Sequence, residues 1–538
     1  MNSRPSYKDY EFVRSSLLDK TEIALLDVRE EAPHAEGHPL FAANFPLSRI
    51  ELDAYTKLPR LDVPIVVIDK GEGFAETAAE RFCGLGYTNV AIFRDGIDGW
   101  TAAGGELFID VNVPSKAFGE LMEAHCHTPS LPAPDAKSLI ESNADVMVLD
   151  VRRFDEYQTM SIPTATSVPG AELVLRIADM VPNPDTQIII NCAGRTRGLL
   201  GTQSLINAGI PNAVAALRNG TIGWTLANQN LDTGQTRSYP ETSQEGYALA
   251  KHRARRVADK AGVKRAKVEQ LEQWREQTNR TTYFFDVRSS REYEQGHLPG
   301  FYWIQGGQLV QETEMYAPVR GARIVVVDND GTRANMSASW LAQMAWEVYV
   351  LDDANDDQFS QAGPWRANIA PVSRSEVISV EDLSAWQEAK EQIVVLDFAK
   401  HATYVKGHIP GSYFALRSEL GAALHNIPSA ARYIITDDPD TARHGSLSQY
   451  VAPELKALVN KEVYVLDGGT AAWTAAGMPL ETGESHLASP ALDRYKRPYE
   501  GTAVPRAAMQ AYLDWEFGLI EQLNRDGTHH FNPMNLAG

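Results

Sequence analysis

The strongest constraint on the fold of this 538-residue chain is that one pattern of phrases is written in it four times. Leu26-Asp27-Val28-Arg29 recurs as Leu149-Asp150-Val151-Arg152, and in altered form as Phe285-Asp286-Val287-Arg288 and Leu396-Asp397-Phe398-Ala399. A Gly-His-x-Pro-Gly phrase follows at 296–300 and 407–411, reduced to Met160-Ser161-Ile162-Pro163 in the second copy. A third phrase closes three of the copies: Gly-Trp-Thr-Ala-Ala-Gly at 99–104, Gly-Trp-Thr-Leu at 223–226 and Ala-Trp-Thr-Ala-Ala-Gly at 472–477. Between the first phrase and the third, an apolar run ends on Asp69, Cys192, Asp328 or Asp437. From the aspartate of the first phrase to that residue the interval is 42 residues in three copies (27 to 69, 150 to 192, 286 to 328) and 40 in the fourth (397 to 437). Spacing this regular with matched flanks means tandem duplication of one structural unit.

Each copy alternates short β-branched runs, such as 65–68 and 90–93, with helical stretches such as 77–85. That alternation predicts an α/β unit: a mostly parallel sheet flanked by helices. The boundaries read as repeats over 10–110, 130–232, 268–365 and 375–483. A charged helical linker is expected at 240–267 and a C-terminal helical extension at 487–538.

Chemistry is expected in the second copy. Ile188-Ile189-Ile190-Asn191 runs into Cys192-Ala-Gly-Arg195-Thr196-Arg197-Gly198, and a helical stretch follows. A buried strand ending in a loop at a helix N-terminus gathers backbone N–H groups and the positive end of the helix dipole, which suits an anion. A cysteine at the base of such a loop is expected to have a lowered pKa and to act as a thiolate nucleophile. Arg195 and Arg197 add charges that could grip an anionic substrate. In the other three copies aspartate stands at this place and cannot carry a persulfide. Its carboxylate is expected to accept the N–H groups that would otherwise cradle substrate. Those loops have drifted as well: Asp328-Asn-Asp-Gly-Thr-Arg333 keeps an arginine, Asp69-Lys-Gly-Glu-Gly-Phe74 has none there, and Asp437-Asp-Pro-Asp-Thr-Ala442 is acidic.

The Cys-x4-Arg loop is one residue shorter than the Cys-x5-Arg loop with which cysteine phosphatases wrap a phosphate. With the flanking phrases, it resembles the rhodanese (sulfurtransferase) family. The resemblance implies four tandem rhodanese-like domains, of which the second is catalytic through Cys192. It implies sulfane-sulfur transfer from an anionic donor, with thiosulfate favoured by two arginines, to a thiophilic acceptor such as cyanide or a thiol. Arg195 and Arg197 would bind the donor's sulfonate, and the backbone N–H groups of Ala193, Gly194, Thr196 and Gly198 would stabilise charge on the persulfide. Thr196 could add a hydroxyl, and Gly194 would allow close backbone approach. No metal or organic cofactor is implied. The alternative donors are 3-mercaptopyruvate and glutathione persulfide. The alternative classes are a non-enzymatic sulfur-binding scaffold and a cysteine phosphatase or arsenate reductase.

Composition narrows the partners. The formal net charge of −20 argues against nucleic acid and anionic membranes and makes any local positive potential more telling. No apolar run approaches a bilayer span, and the first fifteen residues contain no signal-peptide h-region. Three widely spaced cysteines, Cys83, Cys126 and Cys192, fit a reducing cytoplasm better than a disulfide framework. Cys83 reads as a small buried hydrophobe and Cys126 as an inert linker thiol. Adjacent His125, Cys126 and His127 do not have the spacing of a metal site. The Asp–Arg and Gly-His-x-Pro-Gly phrases are expected to be structural. The linker's basic cluster at 251–256 reads as a solvated helix face joining two halves, each a pair of neighbouring repeats. An amphipathic run at 506–523 is expected to pack across the last repeat, with Trp515 and Phe517 as core anchors.

Overall fold

The β-branched runs become parallel sheets, one per repeat, with a single strand order throughout. The computed structural model describes residues 6–142, 144–437, 445–501 and 503–537, so residues 438–442 of the fourth loop lie outside the described residues. In the second repeat the strands are β1 (Ser130–Leu131), β2 (Val146–Asp150), β3 (Thr166–Ser167), β4 (Gln187–Asn191) and β5 (Val214–Leu217), arranged β1-β5-β4-β2-β3. All pairings are parallel. The third repeat uses Lys264–Ala266, Glu347–Leu351, Arg323–Val327, Thr282–Asp286 and Tyr302–Trp303 in the same order, the fourth repeat follows it, and the first repeat has the same five strands in that order within a six-stranded sheet. Strand β4 is central, with Ile189 between Val148 and Ala215, and Ile188, Ile189, Ile190 and Asn191 are buried. A central parallel strand covered on both faces must be apolar along its length. Its C-terminal end is therefore where the first residue free for chemistry can sit.

The helices that frame this end are α1 (Val113–Cys126), α2 (Phe154–Thr159), α3 (Leu173–Met180), α4 (Thr196–Asn207) and α5 (Gly220–Leu226). Helix α4 lies close on the sheet because Gly201 leaves room. A Cβ there would stand 3.1 Å from Ile190 Cγ2 and Leu173 Cδ1.

The paired phrases are structural. Arg152 closes on Asp150 (Nη2 to Oδ2, 2.7 Å), and the same Nη2 donates to the Met160 carbonyl (2.6 Å). Arg29 with Asp27 and Arg288 with Asp286 repeat the arrangement, donating to the Gly37 and Gly296 carbonyls. His297 and His408 stack on Tyr293 and Tyr404 and fix the following turn through a ring nitrogen on the same tyrosine's carbonyl.

The pairing of repeats differs from expectation. The chain divides into two compact units: one holds 1–10, 24–111 and 366–495, the other 11–23, 112–365 and 496–538. The second repeat is thus joined to the third and the first to the fourth, rather than neighbours in order. The reason lies in the linker. Helix α6 (Gln244–Lys260) does not bridge two halves but packs within one unit, between α3 and α7 (Arg333–Gln343), burying Ala250, Ala254, Val257 and Ala258. Its basic cluster is partly engaged, with Arg256 donating to the Ala208 carbonyl (3.1 Å) and Arg255 paired with Asp259 and Asp352.

The C-terminal segment departs from expectation too. Helix α8 (Arg506–Asp526) packs on α1 and α5 of the second repeat, not on the last repeat. Met509, Tyr512 and Leu513 bury against Ala193 and Ile222, and Arg506 donates to the Thr225 and Leu226 carbonyls. Trp515 joins the edge of that cluster, but Phe517 is 54% exposed and is no core anchor. Cys83 is exposed, because its helix Phe74–Gly84 turns Ala75, Ala78, Ala79 and Phe82 inward and leaves position 83 outside. Among the described residues no helix is long and apolar enough to cross a membrane.

Candidate active site

Strand β4 delivers Cys192 to the sheet's C-terminal edge at 3% exposure. The loop is anchored from behind by the start of α5: Thr221 N donates to the Cys192 carbonyl (2.9 Å), while Ile222 N and Thr221 Oγ1 both donate to the Ala193 carbonyl (3.0 Å each). Gly220 has φ +54, and a Cβ on it would lie 2.3 Å from the Cys192 carbonyl oxygen, so only glycine fits there. Gly198 is similarly constrained on the sulfur side, its absent Cβ falling 3.3 Å from Sγ. Cys192 Sγ itself lies 3.7 Å from the Arg195 carbonyl.

The thiol's acidity differs from expectation. Burial pushes the Cys192 thiol up to about 11, and the charge of Arg197 and the N–H of Gly198 offset this only in part. Glu516 and Asp150 add to the upward push. The strand-end position that favours a thiolate electrostatically also removes the sulfur from water, and here desolvation wins.

Both arginines are engaged with carboxylates. Arg197 forms a two-pronged pair with Glu156 on α2 (2.7 and 2.9 Å). Burial works against that carboxyl's ionisation, but the charge and hydrogen bonds of Arg197 outweigh it and hold Glu156 down at about 2. Arg195 donates to both oxygens of Glu120 on α1 (2.7 and 2.8 Å), to Glu123 and to Asn219 Oδ1 (3.1 Å). Its guanidinium also lies 4.4 Å from the ring centroid of Phe517. Arg195 therefore ties the loop to α1 and α8. Thr196 Oγ1 is buried with no hydrogen-bond partner among the described residues, which leaves its hydroxyl available. Ala193 is buried in the cluster under α8. The close approach that Gly194 permits is to that helix, since a Cβ at 194 would stand 3.1 Å from Tyr512 Cε1 and 3.5 Å from Glu516 Oε2.

The groups that sequence reasoning missed are Glu120, Glu156, Tyr512 and Glu516. The six-residue interval from Asp150 to Glu156, repeated from Asp286 to Glu292, was a usable signal. Nothing local marks Glu120 or Glu516, which reach the loop only through tertiary packing. Behind the loop, an apolar cavity of about 70 Å³ is lined from the second repeat by Thr196, Arg197 and Leu200 and from the third by Val310, Met336 and Trp340.

In the remaining repeats the loop is filled from within. Asp69 Oδ2 accepts from the N–H groups of Phe74 and Ala75 (2.9 and 3.1 Å) and Oδ1 from Gly71 (3.1 Å). Asp328 accepts from Gly331 and Ala334 (2.8 and 2.7 Å), and Asp437 from Ser448 N and Ser446 Oγ (2.9 and 2.8 Å). Arg333 is fully committed to Asp330, Glu172 and Glu292. A residual anion-binding role for the third loop through Arg333 gets no support from this geometry.

A family model described as the rhodanese-like domain matches residues 14–103, 132–227, 267–356 and 379–476. The chain belongs to the rhodanese family. A solved structure described as thiosulfate sulfurtransferase from Pseudomonas aeruginosa is 56% identical, the match covers 98% of this chain and 99% of that one, and the two superpose with a TM-score of 0.95. SseB, a provisionally named thiosulfate sulfurtransferase from two strains of Mycobacterium tuberculosis, is 30% identical over 135 residues. That match takes in 20% of this chain and 47% of SseB, so the chain spans about half the length of these curated relatives.

Proposed function

We propose that this rhodanese is a thiosulfate sulfurtransferase working by a ping-pong cycle through a persulfide on Cys192. The observation that carries the reading is that one strand-end loop of four holds a thiol, while the other three hold a carboxylate satisfied by the loop's own N–H groups. The name of the Pseudomonas aeruginosa relative supports the choice of donor. In the first half-reaction the Cys192 thiolate attacks the outer sulfur of thiosulfate. The new S–S bond forms as the bond to the sulfonate sulfur breaks, and sulfite leaves with the electron pair. In the second half, a thiophilic acceptor such as cyanide or a thiol takes the outer sulfur and returns the thiolate.

The loop's N–H groups from Ala193 to Gly198 would stabilise the persulfide anion, joined by the unpartnered Thr196 hydroxyl. Arg197 contributes positive potential at Sγ while fixed on Glu156. The expected sulfonate grip by Arg195 and Arg197 is reassigned accordingly. Arg197 acts through its field, and Arg195 holds the loop in shape. Donor and acceptor are small molecules on this reading, in a cytoplasmic setting, without nucleic acid or membrane.

Intact-mass spectrometry after thiosulfate treatment tests it. A gain of one sulfur on the wild type, absent in Cys192→Ala and discharged by cyanide, supports the cycle. A wild type that gains no sulfur from thiosulfate but does so from mercaptopyruvate or glutathione persulfide changes the donor. No gain from any of the three removes the enzyme reading in favour of a binding scaffold.

A further inference from the structure

The loop around Cys192 is closed on one side by a group that the transfer chemistry does not require. Glu516 on α8 has no exposure to solvent. Its Oε1 accepts a hydrogen bond from Tyr512 Oη (2.8 Å), but its Oε2 has no hydrogen-bond partner among the described residues. That oxygen lies 3.5 Å from where a Cβ on Gly194 would sit, close enough for its charge to act on Cys192. A buried carboxyl oxygen left unsatisfied is destabilising, because it has given up water without gaining a partner. A helix that needed only to dock would bury an apolar side chain here, as it does at Met509 and Leu513. The neighbouring cations are already engaged: Arg195 with Glu120, Glu123 and Asn219, and Lys116 among the rings of Tyr499, Tyr512 and Trp515.

Resting on the reading of Cys192 as the sulfur carrier, we propose that Glu516 is a donor-recognition residue of this site: protonated, it presents Oε2–H to the anion seated on the 193–198 loop, and ionised, it turns a dianionic donor away. The groups that act on it are Lys116 and Glu120 from α1, Arg195 and Cys192 from the loop, and Tyr512 from its own helix, with Glu123 and Tyr499 behind them on Arg195 and Lys116. Among them, burial first and then the charge of Glu120 push the Glu516 carboxyl up to about 8, against the pull of Lys116, the Tyr512 hydrogen bond and Arg195. At neutral pH it is therefore mostly the neutral acid. Ionised, it also raises the Cys192 thiol. No covalent step passes through Glu516, and its proton stays on the carboxyl while sulfur moves.

The test is the pH dependence of single-turnover sulfur loading from thiosulfate below saturation, read by rapid quench and intact mass between pH 6.5 and 10. Loading requires thiolate and protonated Glu516 together. The wild-type rate should rise about tenfold per pH unit up to about 8 and then level, because each gain in thiolate is cancelled by loss of the acid. Glu516→Gln keeps an N–H donor without the charge. It should match the wild type within about threefold at pH 7 and keep rising past 8, overtaking it about 30-fold by pH 9.5.

Tyr512→Phe deletes the hydrogen bond that lowers Glu516, so its break should move to higher pH. This variant also keeps the test decisive where Glu516→Gln disturbs the packing of α8. A break that stays at 8 in folded Glu516→Gln, or a loss of tenfold or more at pH 7 in that variant, overturns the proposal. The second outcome would make Glu516 the base that removes the thiol proton. A wild type that loads no sulfur removes the transfer reading itself. A wild type that loads without any break near 8 removes this inference alone.

Discussion

The second and third repeats hold the same loop in two chemical versions, and position-by-position comparison separates scaffold from chemistry. Arg197 on Glu156 has its counterpart in Arg333 on Glu292, two-pronged in both (2.7 and 2.9 Å against 2.6 and 2.6 Å). Thr196 has its counterpart in Thr332, whose hydroxyl is likewise buried without a hydrogen-bond partner among the described residues. A repeat without a nucleophile keeps these features, so neither the arginine–glutamate pair nor the threonine by itself makes a loop reactive. The real differences are Cys192 against Asp328, Ala193 against Asn329, Gly194 against Asp330, Arg195 against Gly331 and Gly198 against Ala334. In the third repeat the loop is filled by its own side chains: Asp328 takes the N–H groups of Gly331 and Ala334, and Asp330 caps the loop through Thr332 N (2.7 Å). The second repeat has no such side chain in its loop and is covered there by α8 instead.

The largest effect is expected from exchanging the defining residue. Cys192→Asp should abolish sulfur loading, a loss of ~10³-fold or more, while the loop keeps its shape as the third repeat does. The reverse change, Asp328→Cys, should not create a second loading site, because Asp330 still occupies the loop and Arg333 remains bound by three carboxylates. Two sulfurs per chain in that variant would show the comparison to be wrong, since the thiol alone would then suffice.

Next comes Gly194→Asp, which writes the third repeat's residue into the second. The new side chain would meet Tyr512 at 3.1 Å or closer, where real Cβ contacts are rarely so tight, and would add charge beside Glu516. Helix α8 should be displaced, with faster proteolysis beyond residue 500 and loading reduced at least tenfold. Unchanged protection of the tail would mean that α8 does not rest on the loop as described.

A smaller and more symmetrical effect is expected at the shared pair. Glu156→Gln and Glu292→Gln should each cost about 1–3 kcal/mol, less than a fully buried pair because both glutamates are partly exposed. Only Glu156→Gln should change sulfur loading. Both carboxyls are held down at about 2: burial opposes this, and the arginine prevails. A lowered carboxyl contributes stability that is present above its unfolded value, near 4.3, and lost as pH falls towards 2. Acid unfolding should accordingly begin at lower stability but slope less steeply between those values in each variant. Equal effects on loading from the two substitutions would deny that the second loop alone is active.

How far this was legible in the sequence follows the range of the interactions. The parallel α/β repeats could be read because strand periodicity and the 42-residue interval are local properties written four times. The filling of the aspartate loops was foreseeable because a carboxylate at a strand end meets N–H groups of its own next turn. The pairing of the second repeat with the third was not legible, since it depends on which helix faces α6 covers. Nor was the raised Cys192 thiol, because the burial that raises it is a product of tertiary packing, and Glu516, which adds to the push, lies on α8, more than 300 residues away in the chain. Arg195 looked like a substrate ligand for the same reason: its partners Glu120 and Phe517 lie outside any local motif.

The smallest effect concerns the third loop's own anion. Burial, and then the charge of Asp330, push Asp328 up to about 7, against the N–H groups of Ala334 and Gly331 and the charge of Arg333. A carboxyl raised on folding contributes stability below its unfolded value, near 3.9, that is lost as pH climbs through the folded one. Asp328→Asn removes this titration but also replaces one acceptor oxygen with an amide that opposes an N–H, at about 1 kcal/mol. The variant should therefore be less stable than the wild type at pH 5, and the gap should narrow as pH rises towards 8, while sulfur loading on Cys192 stays unchanged. A gap that stays constant between pH 5 and 8 would mean that Asp328 is ionised throughout, held by the cradle as a bound anion is. The third loop would then be a competent anion site that has supplied its own ligand, and the two loops would differ only in where their anion comes from.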